Sequence, residues 1–369
     1  MSRARKTVRL PGPLKMRRGG VLPEVELAYE TWGEARGDNH VVIFTGLSPS
    51  AHAASSTRDP DPGWWENMVG PGKPIDSDVF HVICFNSLGS CFGSTGAASF
   101  NPETGRRWGV DFPTLSIEDI AQATHEALRE LGITQLHAIV GPSMGGMTAL
   151  AYCLMFPGTV RHLVSISSAL AAEPHAIALR SLQRELIRSD PAWKGGRYAF
   201  EEQPVAGMRL ARKLGMTTYR SAQEWRERFG RARIQPDPGE SLPGDPAFPL
   251  RFEVEGYLQS RADRFVGAFD ANCYQYLSQA MDLFDAAEHG VDAERGHPGL
   301  ALESALVIGV ETDALFPVHQ QEALAGVLRK SGAKTEFERL PSLQGHDAFL
   351  VDMERFVPVI GGFMKKLAK

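Results

Sequence analysis

Residues 136–147 read Leu136-His137-Ala138-Ile139-Val140-Gly141-Pro142-Ser143-Met144-Gly145-Gly146-Met147. Apart from His137, the run Leu136 to Val140 is apolar, which suits a strand buried in a sheet. From Gly145 to Met155 small and apolar residues open a helix. Between them Gly141-Pro142-Ser143-Met144-Gly145 fits G-x-S-x-G in its strand–turn–helix setting, a nucleophile elbow. Such a turn is tight and strained, so the residues around the serine must be small, and Gly141, Gly145 and Gly146 meet that demand. Ser143 is the candidate nucleophile.

A serine hydroxyl is a weak nucleophile and needs a base held in place by a third group. With this elbow the chain order is serine, acid, histidine. Glu311-Thr312-Asp313 follows the apolar run Ala305 to Val310, placing a carboxylate just past a strand's C-terminal end. Asp313 is the first choice for the acid and Glu311 the second; Asp313 also reads as a helix N-cap before Leu315 to Leu328. Gly345-His346-Asp347 follows the strand-like run Thr335 to Leu340. His346, the last histidine in the chain, is the candidate base. An oxyanion needs backbone N–H donors. Met144, next to the nucleophile, is one candidate, and Leu47 in the loop Phe44-Thr45-Gly46-Leu47 is the other.

Outward from the elbow, Val21 to Tyr29, Val41 to Thr45, Val79 to Phe85 and Leu163 to Ile166 read as strands. Ile117 to Leu131 has helical spacing and stops at Gly132, Val318 to Leu328 is a second helix, and a last one runs from about Phe349. Alternating β and α elements predict an α/β fold, a mostly parallel, doubly wound sheet. Combined with the elbow, this is the α/β-hydrolase fold. Residues 169–298 differ in texture, being rich in Arg, Gln, Glu and aromatics, and read as a helical lid insertion. Residues 1–168 and 299–369 then form the core domain.

A net charge of −5 offers no general footprint for nucleic acid or for a membrane surface. The four cysteines, Cys84, Cys91, Cys153 and Cys273, match no metal-ligand spacing, so no metal site is expected and the thiols read as reduced. The basic start lacks an apolar core and no apolar run reaches spanning length, which together predict a cytoplasmic protein. Neither Gly89 to Gly96 nor Gly70-Pro71-Gly72-Lys73-Pro74 fits a phosphate-binding loop pattern. No permanently bound cofactor is expected.

Further motifs narrow the reading. Gly63-Trp64-Trp65, Asn86-Ser87-Leu88-Gly89-Ser90-Cys91, Gly93-Ser94-Thr95-Gly96, Asn101-Pro102-Glu103-Thr104-Gly105, Asp111-Phe112-Pro113, Ser143-Met144-Gly145-Gly146-Met147 and Gly345-His346-Asp347-Ala348-Phe349-Leu350 accompany the elbow. Taken together they resemble the homoserine O-acetyltransferase family, from about Gly19 to the C-terminus. The resemblance implies a ping-pong acyl transfer from an acyl-CoA through an acyl-serine intermediate to the hydroxyl of a small amino acid. It also implies that Asp347 holds the acceptor's ammonium and Arg212 its carboxylate, and that the protein is a homodimer through the lid. A zwitterion needs one anion and one guanidinium, which fits this pair. By pattern alone Arg212 reads as a solvated helix face.

One stretch departs from the acetyltransferases: the loop reads Gly46-Leu47-Ser48-Pro49-Ser50-Ala51-His52. The run Arg180-Ser181-Leu182-Gln183-Arg184-Glu185 and the loop Asn86-Ser87-Leu88-Gly89-Ser90-Cys91 resemble the serine O-succinyltransferase branch, which implies that Gly46, Leu47, Ser48 and Pro49 bear on the amino-acid choice and Arg180 on the acyl choice. A succinyl group ends in a carboxylate that acetyl lacks, and a guanidinium left unpaired with acetyl is costly. Otherwise Arg180 is an ordinary lid-helix charge. The favoured expectation is transfer from succinyl-CoA to L-serine. Homoserine O-acetyl- or O-succinyltransfer is the first alternative, since L-homoserine differs from L-serine by one methylene, worth only about 1–3 kcal/mol. An esterase or thioesterase with the same triad is the second.

Overall fold

The computed structural model describes residues 2–368. Eight strands form the central sheet: β1 (Lys6–Arg9), β2 (Glu26–Trp32), β3 (His40–Phe44), β4 (His81–Phe85), β5 (Leu136–Pro142), β6 (Val160–Ile166), β7 (Ser304–Val310) and β8 (Lys334–Leu340). Their spatial order is β1-β2-β4-β3-β5-β6-β7-β8. β2 runs antiparallel to both of its neighbours, and every pair from β4 to β8 is parallel. The order turns back at β3, so the loops after β3 and β5 emerge side by side at the C-terminal edge, where open α/β sheets bind ligands.

The central strands are buried on both faces, and alternate residues feed two cores. Val42 and Phe44 of β3, Ile83 and Phe85 of β4 and Ile139 of β5 pack with the helices on one side. Val41 and Ile43, Val82 and Cys84, and Ala138 and Val140 pack on the other. The first side is covered by α1 (Ile117–Glu130), α2 (Met144–Met155) and α8 (Val318–Lys330). α1 begins at a capping box in which the Ser116 and Asp119 side chains satisfy each other's backbone N–H. α10 (Met353–Leu367) covers the second side through Phe356, Ile360, Phe363 and Met364, at helical spacing.

Between β6 and β7 the chain leaves the sheet and forms α3 (Pro174–Arg188), α4 (Val205–Tyr219), α5 (Ala222–Phe229), α6 (Glu253–Phe265) and α7 (Ala271–Leu283). These helices all lie within residues 169–298. Among the described residues no helix is long and apolar enough to cross a membrane.

Some sequence expectations are corrected. Val21 to Tyr29 is not one strand: Val21–Leu22 pairs with Leu14–Lys15 in a small ribbon, and the sheet strand starts at Glu26. The edge strand β1 has too few residues for its alternation to stand out. α2 starts at Met144, directly after Ser143, and not at Gly145. The last helical stretch is two pieces, α9 (Ala348–Val351) and α10, joined at Asp352.

Candidate active site

Ser143 sits at φ 56° and ψ −124°, a strained backbone held by its surroundings. Its N–H donates to the Ile166 carbonyl at 2.8 Å, tying the elbow to β6. The flanking glycines are a packing necessity. A Cβ on Gly141 would stand 2.2 Å from the Gly145 carbonyl oxygen, one on Gly145 2.3 Å from the Phe44 oxygen, and one on Gly146 2.5 Å from the Ser168 Cβ. The elbow is therefore wedged directly against the end of β3 and the loop that follows it.

His346 and Asp313 arrive from the loops after β8 and β7. The Ser143 Oγ and the His346 Nε2 are 2.8 Å apart, and the His346 Nδ1 and the Asp313 Oδ2 are 2.8 Å apart. All three side chains are buried. The other Asp313 oxygen, Oδ1, accepts the N–H groups of Leu315 and Phe316 at 2.9 and 2.8 Å. The capping and the triad geometries thus coexist on one carboxylate, each using its own oxygen. The capped turn precedes α8, which itself starts only at Val318. Glu311, the second choice, instead meets Arg339 at 3.0 Å on the exposed side.

The imidazole is packed on several sides. Phe316 stacks on it at 5.3 Å, Phe349 meets it edge-on at 5.8 Å and Tyr219 lies at 6.0 Å. Burial works against the imidazolium, but the charge and hydrogen bond of Asp313 outweigh it and raise the His346 pKa above its ordinary value. Gly345, at φ 61°, lets the short turn Gly345–Asp347 pass close to the end of α4, because a Cβ there would stand 2.7 Å from the Tyr219 oxygen.

A cavity of about 140 Å³ opens on Ser143. Gly46, Leu47, Ser48 and Pro49 line it from the loop after β3, together with Ser143, His346 and Asp347 from the core. Arg180 lines it from α3 and Arg212 from α4. Met144 is the first residue of α2, so its N–H is one of those that a helix leaves without an internal acceptor. The loop after β3 is buttressed from behind: the Asn86 Nδ2 reaches the Pro49 oxygen at 3.5 Å and the Trp64 indole N–H donates to the Ser50 oxygen at 3.0 Å.

Arg180 is 4% exposed. Its Nε donates to the Asp282 Oδ1 at 2.5 Å, and Arg184 contacts the other oxygen of Asp282 at 2.7 Å. Both terminal nitrogens of Arg180, Nη1 and Nη2, are buried without a hydrogen-bond partner. Leaving such donors unpaired costs stability, so the arrangement suits a site that an anion completes. Arg212 lies over the rings of Phe265 and Tyr219 at 4.5 and 5.5 Å, and its Nε is likewise buried and unpartnered. Asp347 meets the Arg220 Nε at 3.4 Å and keeps 27% of its side chain exposed. Burial raises its carboxyl above the usual range, and Arg220 opposes that rise.

Sequence reasoning did not find Asp282, which orients Arg180 and Arg184, and it gave Asn86 and Trp64 only as parts of motifs, without their place behind the loop. Asp282 stands between the apolar Met281 and Leu283, while its own helix face carries Gln275, Ser278 and Gln279, so nothing local marks it as a buried ion-pair partner.

A model of the alpha/beta hydrolase fold matches residues 39–352. The serine O-succinyltransferase of Litchfieldella anticariensis is 56% identical over 367 residues, covering 99% of each chain. That of Xanthomonas campestris pv. campestris is 54% identical, covering 96% of each. Among solved structures, the homoserine O-acetyltransferase of Bacillus anthracis superposes with a TM-score of 0.87 at 27% identity, over 98% of this chain and 97% of that one. Esterase E22 superposes with a TM-score of 0.85 at 26% identity, over 98% of this chain and 99% of that one. With a family model over most of its length and relatives above half identity end to end, this chain belongs to the α/β-hydrolase-fold family, in the group of the serine O-succinyltransferases.

Proposed function

We propose that the protein transfers a succinyl group from succinyl-CoA to the hydroxyl of L-serine. The observation that carries this reading is the pairing of charges around one nucleophile. Besides the triad, the cavity holds two guanidiniums and a carboxylate: Arg180, Arg212 and Asp347. Water as acceptor would need none of them. An amino-acid zwitterion uses Asp347 for its ammonium and Arg212 for its carboxylate. The second guanidinium, Arg180, remains for an acyl group that ends in its own carboxylate. The names of the relatives above half identity point the same way.

On this reading the Ser143 Oγ attacks the thioester carbonyl while the His346 Nε2 takes its proton. The N–H groups of Met144 and Leu47 receive the oxyanion. The C–S bond breaks, the proton passes to the departing sulfur, and free CoA leaves an acyl-serine. The acceptor's hydroxyl then gives its proton to His346, attacks the acyl carbon, and the proton returns to Ser143 as the O-succinyl amino acid leaves. Asp313 holds the imidazole in the tautomer that both halves require.

Thiol release from succinyl-CoA and acetyl-CoA, each with L-serine, L-homoserine or no acceptor, tests this directly. Rapid release only with succinyl-CoA and serine is expected. Preference for homoserine, or sustained release without acceptor, overturns it.

The donor assignment has its own check. Arg180→Met is expected to lower kcat/KM for succinyl-CoA about a hundredfold, two charge-assisted hydrogen bonds being lost, while acetyl-CoA turnover changes little. Asp282→Asn loosens the same guanidinium and is expected to shift donor preference in the same direction by about tenfold. Equal losses with both donors would remove Arg180 from the acyl choice.

Four unpaired cysteines fit a reducing, cytoplasmic setting. Exposed Leu182, Val205 and Leu210 on α3 and α4 support self-association through the lid. Light scattering of the intact protein is expected to give twice the chain mass, and a monomer would refute the dimer.

A further inference from the structure

We propose that an arginine-lined trough beside the active-site cavity binds the phosphorylated nucleotide end of the CoA donor; this rests on the acyl-CoA reading above. The trough measures about 700 Å³ and shares Arg212 and Asp347 with the cavity that holds Ser143. Three lid helices build it. α4 contributes Arg212 and Met216, four residues apart on one face, and α5 contributes Trp225 and Arg228, three apart. α6 aims Tyr257, Arg261 and Arg264 inward at successive helical turns.

Five arginines line this space against two carboxylates, Glu224 and Asp347. Those carboxylates are engaged: Glu224 contacts Arg220 and Arg228 at 3.8 and 3.5 Å, and Asp347 contacts Arg220 at 3.4 Å. Among the described residues Arg261 and Arg264 form no ion pair. The Arg261 guanidinium rests over the Tyr257 ring at 5.3 Å, and the Arg264 Nη2 donates to the Ser260 hydroxyl at 3.3 Å. A chain of net charge −5 thus concentrates guanidiniums at the rim of its active site.

The donor's chemistry matches that arrangement. Its thioester must reach Ser143, while its diphosphate and ribose phosphate are polyanionic and stay outside the small cavity. Guanidiniums grip phosphate oxygens in pairs, and concentrated positive charge gathers a polyanion from solution. Tyr257 holds the Arg228 and Arg261 guanidiniums over its ring at 4.4 and 5.3 Å, and Trp225, stacked on Phe229 at 5.4 Å, adds an aromatic surface suited to a purine. The shared wall at Arg212 and Asp347 marks where the pantetheine arm passes from trough to nucleophile.

The test uses the intact protein and the double variant Arg261→Gln/Arg264→Gln, which leaves the catalytic and acceptor-binding residues untouched. Its KM for succinyl-CoA is expected to rise about tenfold with kcat within about twofold of wild type. With succinyl-pantetheine, which lacks the nucleotide, the variant and the wild type are expected to behave alike. Calorimetry with adenosine 3′,5′-bisphosphate is expected to show weaker binding to the variant. An unchanged KM for succinyl-CoA, or an equal loss with succinyl-pantetheine, overturns the proposal. If the wild type turns over no thioester yet binds the bisphosphate through these arginines, the transferase reading falls and the trough stands. If it turns over succinyl-CoA and binds the bisphosphate equally in both proteins, the trough falls and the transferase reading stands.

Discussion

Ser143→Ala is expected to lower acyl transfer roughly 10⁶-fold while leaving the fold intact. The Oγ of Ser143 faces the His346 Nε2 at 2.8 Å, so alanine removes the atom that attacks and strands the base. Stability changes little for two reasons. Alanine meets the same backbone strain at φ 56° as serine does, and the elbow is fixed by the glycine contacts and by the Ser143 N–H to Ile166, which alanine keeps. Thiol release measures the loss, and a thermal melt measures the fold. Mass spectrometry of wild type mixed with succinyl-CoA alone should find one succinyl group on Ser143. A variant that retains turnover within about tenfold of wild type would require a different nucleophile.

Asp313→Asn is expected to cost about 10⁴-fold in kcat and to move the pH profile. In the native site burial disfavours the imidazolium, but Asp313 outweighs it, so His346 titrates above its ordinary 6.5. The base must be neutral to act. Activity therefore rises with pH through that raised pKa, and the acid limb of kcat/KM stands above 6.5. Asparagine removes the opposing charge and leaves the burial, so the limb is expected to shift to lower pH. The rate falls through geometry. The Asn side chain keeps its oxygen on the Leu315 and Phe316 N–H groups, as the Asp313 Oδ1 does. Its amide NH₂ then faces the His346 Nδ1 and favours the wrong tautomer. Profiles of kcat/KM against pH for both proteins decide it. An acid limb that stays where it was would remove Asp313 from control of the base.

The candidate triad, whose three side chains the structure brings together, was legible in the sequence because such chemistry fixes residue types in a fixed order. Ser143 was marked by its glycines, and His346 and Asp313 by their places after strand-like runs. The buried strands were legible for a related reason: β3 and β7 lie between two layers and carry near-continuous apolar runs. Other features depend on partners far apart in the chain. Asp282 on α7 and Arg180 on α3 are separated by 102 positions, and neither side chain's local pattern announces the other. The choice between Asp313 and Glu311 needed coordinates, since both follow the same strand and only the turn at Leu315 and Phe316 aims one of them inward. β1 escaped notice because four residues with two charges look like any surface stretch.

The three glycines of the elbow have a consequence for how this protein changes over generations. At Gly141 and Gly145 even one added methyl would collide with backbone, which has no rotamer to yield, and at Gly146 it would collide with Ser168. Most positions of a chain wander as neighbours adjust; these are pinned by main chain that has nowhere to go. Descendants of this sequence are then expected to lose solubility or folding before they lose the motif. A pattern of five residues remains readable after the lid around it has been rewritten.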